Sequence, residues 1–244
     1  VVDGRDIETL SALVLSNKKD LDIRGVFTMT ELVTSVAAVA AAASLPGPSL
    51  FSSVACQNKA LCKQLWLEAG VATPAGGVAS SLAEAEAIAE RLGSDLFLKP
   101  AAGFGGKGAG SVESSSPEFP RVFEAARSAS ITGTVVIEEL LTGAMVDANG
   151  IFDDEGVLRD ATIADRGFDP DFPVEVEARC PTALDANQQQ EFLELVERGA
   201  RALGISSLAV KADAVLTDRG LHLLELAPRL HGPKGTLWLY PRSL

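Results

Sequence analysis

The chain has 244 residues, 47% hydrophobic, 22% charged and 5% aromatic, with a formal net charge of −12. That length and balance describe a folded protein of one large or two modest domains. No stretch concentrates Lys and Arg, so double-stranded nucleic acid, whose backbone binds clustered positive charge, is not an expected partner.

The first block, to about residue 52, alternates helix-like and strand-like pieces. Asp6 to Leu15 reads as a helix and Ile23 to Phe27 as a short strand. Thr28-Met-Thr-Glu31 has the form of a capping box that opens an Ala-rich helix. The apolar run Leu32 to Leu45 stops at Pro46-Gly47-Pro48, short of the ~20 residues that span a bilayer, so a buried helix is expected and no membrane. The block reads as the tail of a doubly wound α/β unit. No secretory signal is visible, and the start at Val1 without Met leads us to expect missing N-terminal sequence. Cys56, Cys62 and Cys180 form no CxxC pair, which fits reduced thiols in a cytoplasmic protein.

The second block starts with a helix from Val54 to Ala69, closed by Gly70. After Val71-Ala-Thr-Pro74 comes a helix opened by the capping box Ser81-Leu-Ala-Glu84, with Leu82, Ala85, Ile88, Ala89 and Leu92 as its apolar stripe. The strand Leu96 to Lys99 leads into a loop holding Gly103, Gly105, Gly106, Gly108 and Gly110. A helix capped by Ser116-Pro117 and a strand from Thr134 to Glu139 follow. The loop lacks the Lys-Ser/Thr of a P-loop and the following helix of a dinucleotide fingerprint. Glycines there expose backbone N–H groups to oxyanions, as a flap over a triphosphate does, although a plain surface hairpin has the same composition. Lys99 ends a buried strand, where an ammonium needs an anionic partner. Lys59, on its helix, reads more readily as a solvated residue by sequence alone.

In the third block a hairpin turns around Asp153 to Gly156, a strand covers Val174 to Ala178, and a helix runs from Asp185 to Leu203. Two apolar runs then flank Asp218-Arg219-Gly220. Pairing Thr217 with Leu221 sets Asp213 opposite Glu225, and like charges ~4.5–5.5 Å apart repel. A divalent cation between them would answer that repulsion; so would a slipped register or a protonated carboxyl. Arg229 and His231 follow in a bent segment.

These stretches together resemble the ATP-grasp superfamily, over roughly Gln57 to Gly235. The resemblance rests on Asn58-Lys59, Gly70-Val-Ala-Thr-Pro74, Phe97-Leu-Lys99-Pro100, Gly105-Gly-Lys-Gly108, Val136-Ile-Glu138-Glu139-Leu-Leu-Thr-Gly143 and Glu225-Leu-Ala-Pro-Arg229. It implies an α/β (α+β) fold of two subdomains gripping a nucleotide: an ATP-grasp domain at 57–244, with a lid at about 73–139 and a C-terminal subdomain at about 140–244. Residues 1–56 would be an incomplete Rossmann-like domain.

The resemblance further implies that Lys59 and Lys99 contact nucleotide phosphates under a loop of Gly105, Gly106, Lys107 and Gly108. Glu138, Glu139 and Leu141 would border the adenine, and Asp213 and Glu225 would hold Mg2+ or Mn2+. Arg229, with Lys99, would act on the transferring phosphate. The glutamate expected two residues after Gly143 is Met145, for which Asp147 on the same face is the candidate substitute; an asparagine is replaced by Ala227. The implied activity is an ATP-dependent carbon–nitrogen ligase: a small-molecule carboxylate becomes an acyl-phosphate and joins an amine, giving ADP and phosphate. Carboxyphosphate formation from bicarbonate and non-catalytic ATP binding are the alternatives. A homodimer is common among the resembling enzymes.

Overall fold

A computed structural model describes residues 1–93, 95–103, 105–169 and 175–232. The chain opens with α1 (Ile7–Asn17), α2 (Val33–Ala43) and α3 (Leu50–Gln57). Asp6 caps α1 by accepting from the Thr9 amide. Ile23 to Phe27 forms no strand, because no strand among the described residues pairs with it; its backbone bonds run from Ile23 N–H to the Lys18 carbonyl at 3.0 Å and from Val26 N–H to the Pro46 carbonyl at 3.4 Å. The expected capping box is also absent. α2 begins at Val33 without a side-chain cap, and Thr28 turns to Thr30 instead.

The helix expected from Val54 to Ala69 is broken at Asn58 into α3 and α4 (Lys59–Glu68). Asn58 is extended, and its side-chain oxygen accepts from the amides of Ala60 and Leu61, both at 3.1 Å. An asparagine that satisfies two otherwise orphaned N–H groups starts a helix more readily than it continues one. The break aims α4 and fixes Lys59 as its first residue.

Four strands form the smaller sheet: β1 (Gly76–Ala79), β2 (Asp95–Pro100), β3 (Gly110–Glu113) and β4 (Val135–Glu139), in the order β1-β4-β2-β3 and antiparallel throughout. Two helices cover one face, α5 (Leu82–Leu92) and α6 (Phe119–Ala129). The Ser81/Glu84 capping box is formed, whereas α6 starts two residues beyond the expected Ser116-Pro117 cap. Leu96, Leu98, Val135 and Ile137 pack with Ala85, Phe119 and Phe123 beneath these helices. Strand alternation then turns Lys99 and Glu138 to the opposite face.

The larger sheet has β5 (Ala144–Phe152), β6 (Leu158–Phe168), β7 (Glu175–Arg179), β8 (Ala209–Thr217) and β9 (Gly220–Ala227), ordered β7-β6-β5-β8-β9 and antiparallel. The helix α7 (Ala186–Ala202), capped by Asp185, covers one face. Phe192, Leu195 and Val196 of α7 join Trp66, Ala212, Ala214, Leu223 and Leu226 in the main core. Trp66 Nε1 donates to the Gly199 carbonyl at 3.1 Å. A Cβ at Gly199 would stand 2.6 Å from Leu223 Cδ1, so glycine lets α7 approach β9. The open face of this sheet carries the acids.

Candidate active site

Asp213 and Glu225 are register partners on β8 and β9, as the sequence leads one to expect, though by another route. Thr217 pairs with Gly220 rather than Leu221, leaving a two-residue turn, and a bulge between Asp213 and Ala214 skips Leu224. The extra residue restores the pairing. The two carboxylates do not stand bare: Asp213 Oδ2 accepts from Lys211, and Glu225 Oε1 lies 3.1 Å from Lys59 Nζ. Burial alone would raise the Glu225 pKa, but the charges of Lys59 and Lys211 outweigh it and hold the group below its usual value.

On the smaller sheet, Glu138 lies between two lysines. Lys99 Nζ is 2.6 Å from Oε2 and Lys63 Nζ is 2.8 Å from Oε1, all three side chains being buried. Burial works against every charge here. Even so, the two lysines draw the Glu138 pKa below its ordinary value, and Glu138 followed by Glu225 raises that of Lys99. For Lys63 burial wins and its pKa is lowered, against the pull of Glu138.

One cavity is lined by Lys59, Lys63, Lys99, Glu138, Leu224 and Glu225 together with Cys56, Cys62, Trp66 and Thr73. It joins the smaller sheet, α4 and the edge hairpin of the larger sheet. Burial foremost pushes the Cys62 thiol up to about 12, so it meets the cavity as a neutral group. A second cavity shares Lys59, Cys56 and Glu225 and is closed by Glu31, Gly103 and Pro228.

The structure therefore brings Lys59, Lys99, Glu138 and Glu225 together, with Asp213 across from Glu225. Arg229 is drawn to Glu31, whose carboxylate accepts from its Nη2, while Nη1 donates to the Leu230 carbonyl at 3.0 Å. Glu139 points away from Glu138: its oxygens accept from the Ala75 amide at 2.9 Å and from Arg219 at 2.8 Å. Leu141 lies half-buried between β4 and β5. The loop of Gly105, Gly106 and Gly108 takes positive φ and is largely exposed with Lys107. It is anchored at Gly108, where a Cβ would meet Ala129 Cβ at 2.5 Å.

Asp147 does not offer itself to a nucleotide sugar in place of Met145. It is fully buried, and Arg166 Nη1 sits 2.9 Å from its Oδ2. His231 Nε2 lies 2.6 Å from the same Arg166 nitrogen. Burial, then the Arg166 charge, lowers the His231 pKa to about 4, so this imidazole is neutral near neutrality.

Four participants escape a motif-based reading: Glu31, Lys63, Arg166 and Lys211. Lys63 carried a usable signal, since a residue four after Lys59 shares its helix face. Lys211, two before Asp213, shares its strand face. Glu31 and Arg166 come from distant segments and carry no local sign.

Two lobes, each an antiparallel sheet with helices on its outer face, closing on a cleft rich in lysine and carboxylate, define an ATP-grasp fold. Residues 58–155 match the family model described as "Carbamoyl-phosphate synthase L chain, ATP binding domain". The chain is 30% identical over 186 residues to a D-alanine–D-alanine ligase of Aromatoleum aromaticum, covering 74% of this chain and 58% of that protein. It is 27% identical over 235 residues to the uncharacterized protein y4rH of Sinorhizobium fredii, covering 95% and 48% respectively. The crystal structure of L-amino acid ligase from Bacillus licheniformis superposes with a TM-score of 0.75 at 21% identity, over 96% of this chain and 56% of that one. The chain belongs to the ATP-grasp superfamily. It spans about half the length of these curated relatives.

Proposed function

We propose that this protein is an ATP-dependent carbon–nitrogen ligase that activates a small-molecule carboxylate as an acyl-phosphate. The observation that carries the reading is the cavity in which Lys59 and Lys99 meet Glu225, with Asp213 in register across the hairpin. The relatives named as D-alanine–D-alanine ligase and L-amino acid ligase support the reaction class.

Asp213 and Glu225 suit a magnesium or manganese ion: hard carboxylate oxygens, paired across one hairpin, with side chains 21% and 43% exposed. Such an ion supplies charge neutralisation at the terminal phosphates of ATP. Partly exposed ion pairs are weak, so the Lys59–Glu225 contact opens readily when a ligand takes either group. Lys59 and Lys99 then bind phosphate oxygens, with the glycine loop covering them. Arg229 steadies the equatorial charge while a substrate carboxylate oxygen attacks the γ-phosphorus and its bond to the β-phosphate oxygen breaks. An amine nitrogen next attacks the acyl carbon, phosphate leaves, and the amine proton passes to solvent. Positioning and fixed charge account for the rate.

Within this reading, residues 1–56 precede an ATP-grasp unit at 57–244, with Glu138, Glu139 and Leu141 bordering the adenine. The sparse, unpaired cysteines support a cytoplasmic setting. A homodimer rests on the resemblance alone, and sedimentation tests it. Bicarbonate is the second carboxylate to try. Hydroxylamine trapping with Mg-ATP across a panel of carboxylic acids, amino acids first, tests the proposal. A hydroxamate with ADP identifies the acid; ADP formed with bicarbonate alone supports carboxyphosphate chemistry. ATP binding without ADP under every acid leaves a nucleotide-binding module.

A further inference from the structure

We propose that Lys63 is a positioning residue of the nucleotide site, holding Glu138 as a paired carboxylate so that Lys99 is free to leave it for the phosphates. The inference rests on the ATP reading above and goes beyond it, since none of the matched motifs includes Lys63.

The three groups are arranged unequally. The Lys63 side chain is only 3% exposed, and its ammonium donates to Glu138 Oε1 at 2.8 Å, to Thr73 Oγ1 at 3.3 Å and to the Pro74 carbonyl. Three acceptors match the three N–H bonds of an ammonium, so Lys63 has no donor left for a ligand. It is tied to Pro74, the entry to β1, and to Glu138 of the adjoining β4. Gly76 pairs with Glu138 across those strands, and a Cβ there would press on Glu138 Cγ at 3.0 Å and on the Ile137 carbonyl at 2.3 Å. The glycine leaves room for the Glu138 side chain to turn inward.

Lys99 is held differently. Among the described residues its ion-pair partner is Glu138 Oε2, at 2.6 Å, and it shares the cavity with Lys59 and Glu225. An arriving phosphate competes with Glu138 for this ammonium. A buried carboxylate stripped of its counter-ion is strongly disfavoured. With Lys63 fixed in place, Glu138 keeps a partner when Lys99 turns away. Without Lys63, Lys99 is, among the described residues, the cation left to neutralise Glu138 and stays pinned to it. Lys63 thus sets the affinity for ATP through Glu138 without touching the nucleotide.

Calorimetric titration of the full chain with Mg-ATP tests this, comparing the unaltered protein with Lys63→Met, Glu138→Gln and the double variant. Lys63→Met should weaken binding at least about tenfold. In the Glu138→Gln background, where no carboxylate remains to pin Lys99, the same change should cost less than about twofold. Steady-state kinetics should show the Lys63→Met loss in KM for ATP rather than in kcat. Unchanged affinity in Lys63→Met, or a tenfold loss that persists in the Glu138→Gln background, overturns the inference while leaving the ATP reading intact. If Lys63→Met fails to fold, the comparison between Glu138→Gln and the double variant, whose buried carboxylate is gone, decides alone. Absence of binding by the unaltered chain overturns the nucleotide reading and this inference with it.

Discussion

Asp213 faces Glu225 across β8 and β9, and on its other side it faces Asp147 across β5 and β8. Three carboxylates therefore stand in one row across the larger sheet, each with its own cation: Arg166 for Asp147, Lys211 for Asp213 and Lys59 for Glu225. Exposure rises along the row, from a fully buried Asp147 to a Glu225 open to the cleft. The buried end is locked structure; the open end can exchange its lysine for a ligand.

That gradient separates two kinds of variant. Asp213→Asn or Glu225→Gln should lower ATP turnover by about a hundredfold or more while leaving the melting temperature within a few degrees. Asp147→Asn should instead destabilise the fold by about 3 kcal/mol, because it takes the fully buried counter-charge from the buried Arg166 guanidinium and leaves it the part-exposed Glu175. Turnover assays beside urea unfolding distinguish them. Equal stability losses at all three positions would deny the gradient.

Glu31 reaches Arg229 from the segment before α2, and its backbone carbonyl accepts from Gln57 Nε2 at 2.5 Å. Glu31→Gln should reduce kcat by about tenfold through a loosened guanidinium, with the Kd for ATP unchanged. Steady-state kinetics with a direct binding titration check this; an unaltered kcat would detach Glu31 from the site.

Gly105 and Gly108 both hold positive φ, but only Gly108 is crowded, a Cβ there meeting Ala129 Cβ at 2.5 Å and the Ala125 carbonyl at 2.9 Å. Gly105→Ala should cost only the backbone strain, about 1 kcal/mol. Gly108→Ala should in addition lift the loop from α6 and raise KM for ATP several-fold more. Limited proteolysis at the loop, run beside the kinetics, should show faster cleavage in the second variant alone.

His231 gives the acid limb of stability a defined sign. Its folded pKa is about 4 against an ordinary 6.5, so between those values the unfolded chain binds a proton that the folded one does not. Stability is therefore lost as pH falls from 6.5 toward 4, by roughly 3 kcal/mol from this residue. Glu138 and Glu225, whose pKa values are lowered, add to the loss only below their ordinary value of 4.5. Urea unfolding at pH 7 and pH 5 should show the decline, and His231→Gln should flatten it; an unchanged slope in the variant would assign it elsewhere.

Much of the fold could be read from local chemistry. The Ser81/Glu84 box and the Asp185 cap mark their helices because each satisfies named N–H groups within one turn. The Thr28/Glu31 pair has the same spacing but no such bonds, since Glu31 is claimed by Arg229, almost two hundred residues away. Ile23 to Phe27 has strand composition without a partner strand, and pairing is what makes a strand. The Asp213–Glu225 pairing followed from the hairpin, while the bulge at Leu224 that produces it had no sequence mark. Lys59 and Lys99 were legible as motif residues. That each already holds an acid, and that Lys63 shares one of them, depends on tertiary placement alone.

The most direct test of the central claim is electron paramagnetic resonance of Mn2+ titrated into the full chain with and without ATP. A bound Mn2+ signal should appear, strengthen with nucleotide and be lost in both Asp213→Asn and Glu225→Gln. Full Mn2+ binding in either variant would contradict that claim.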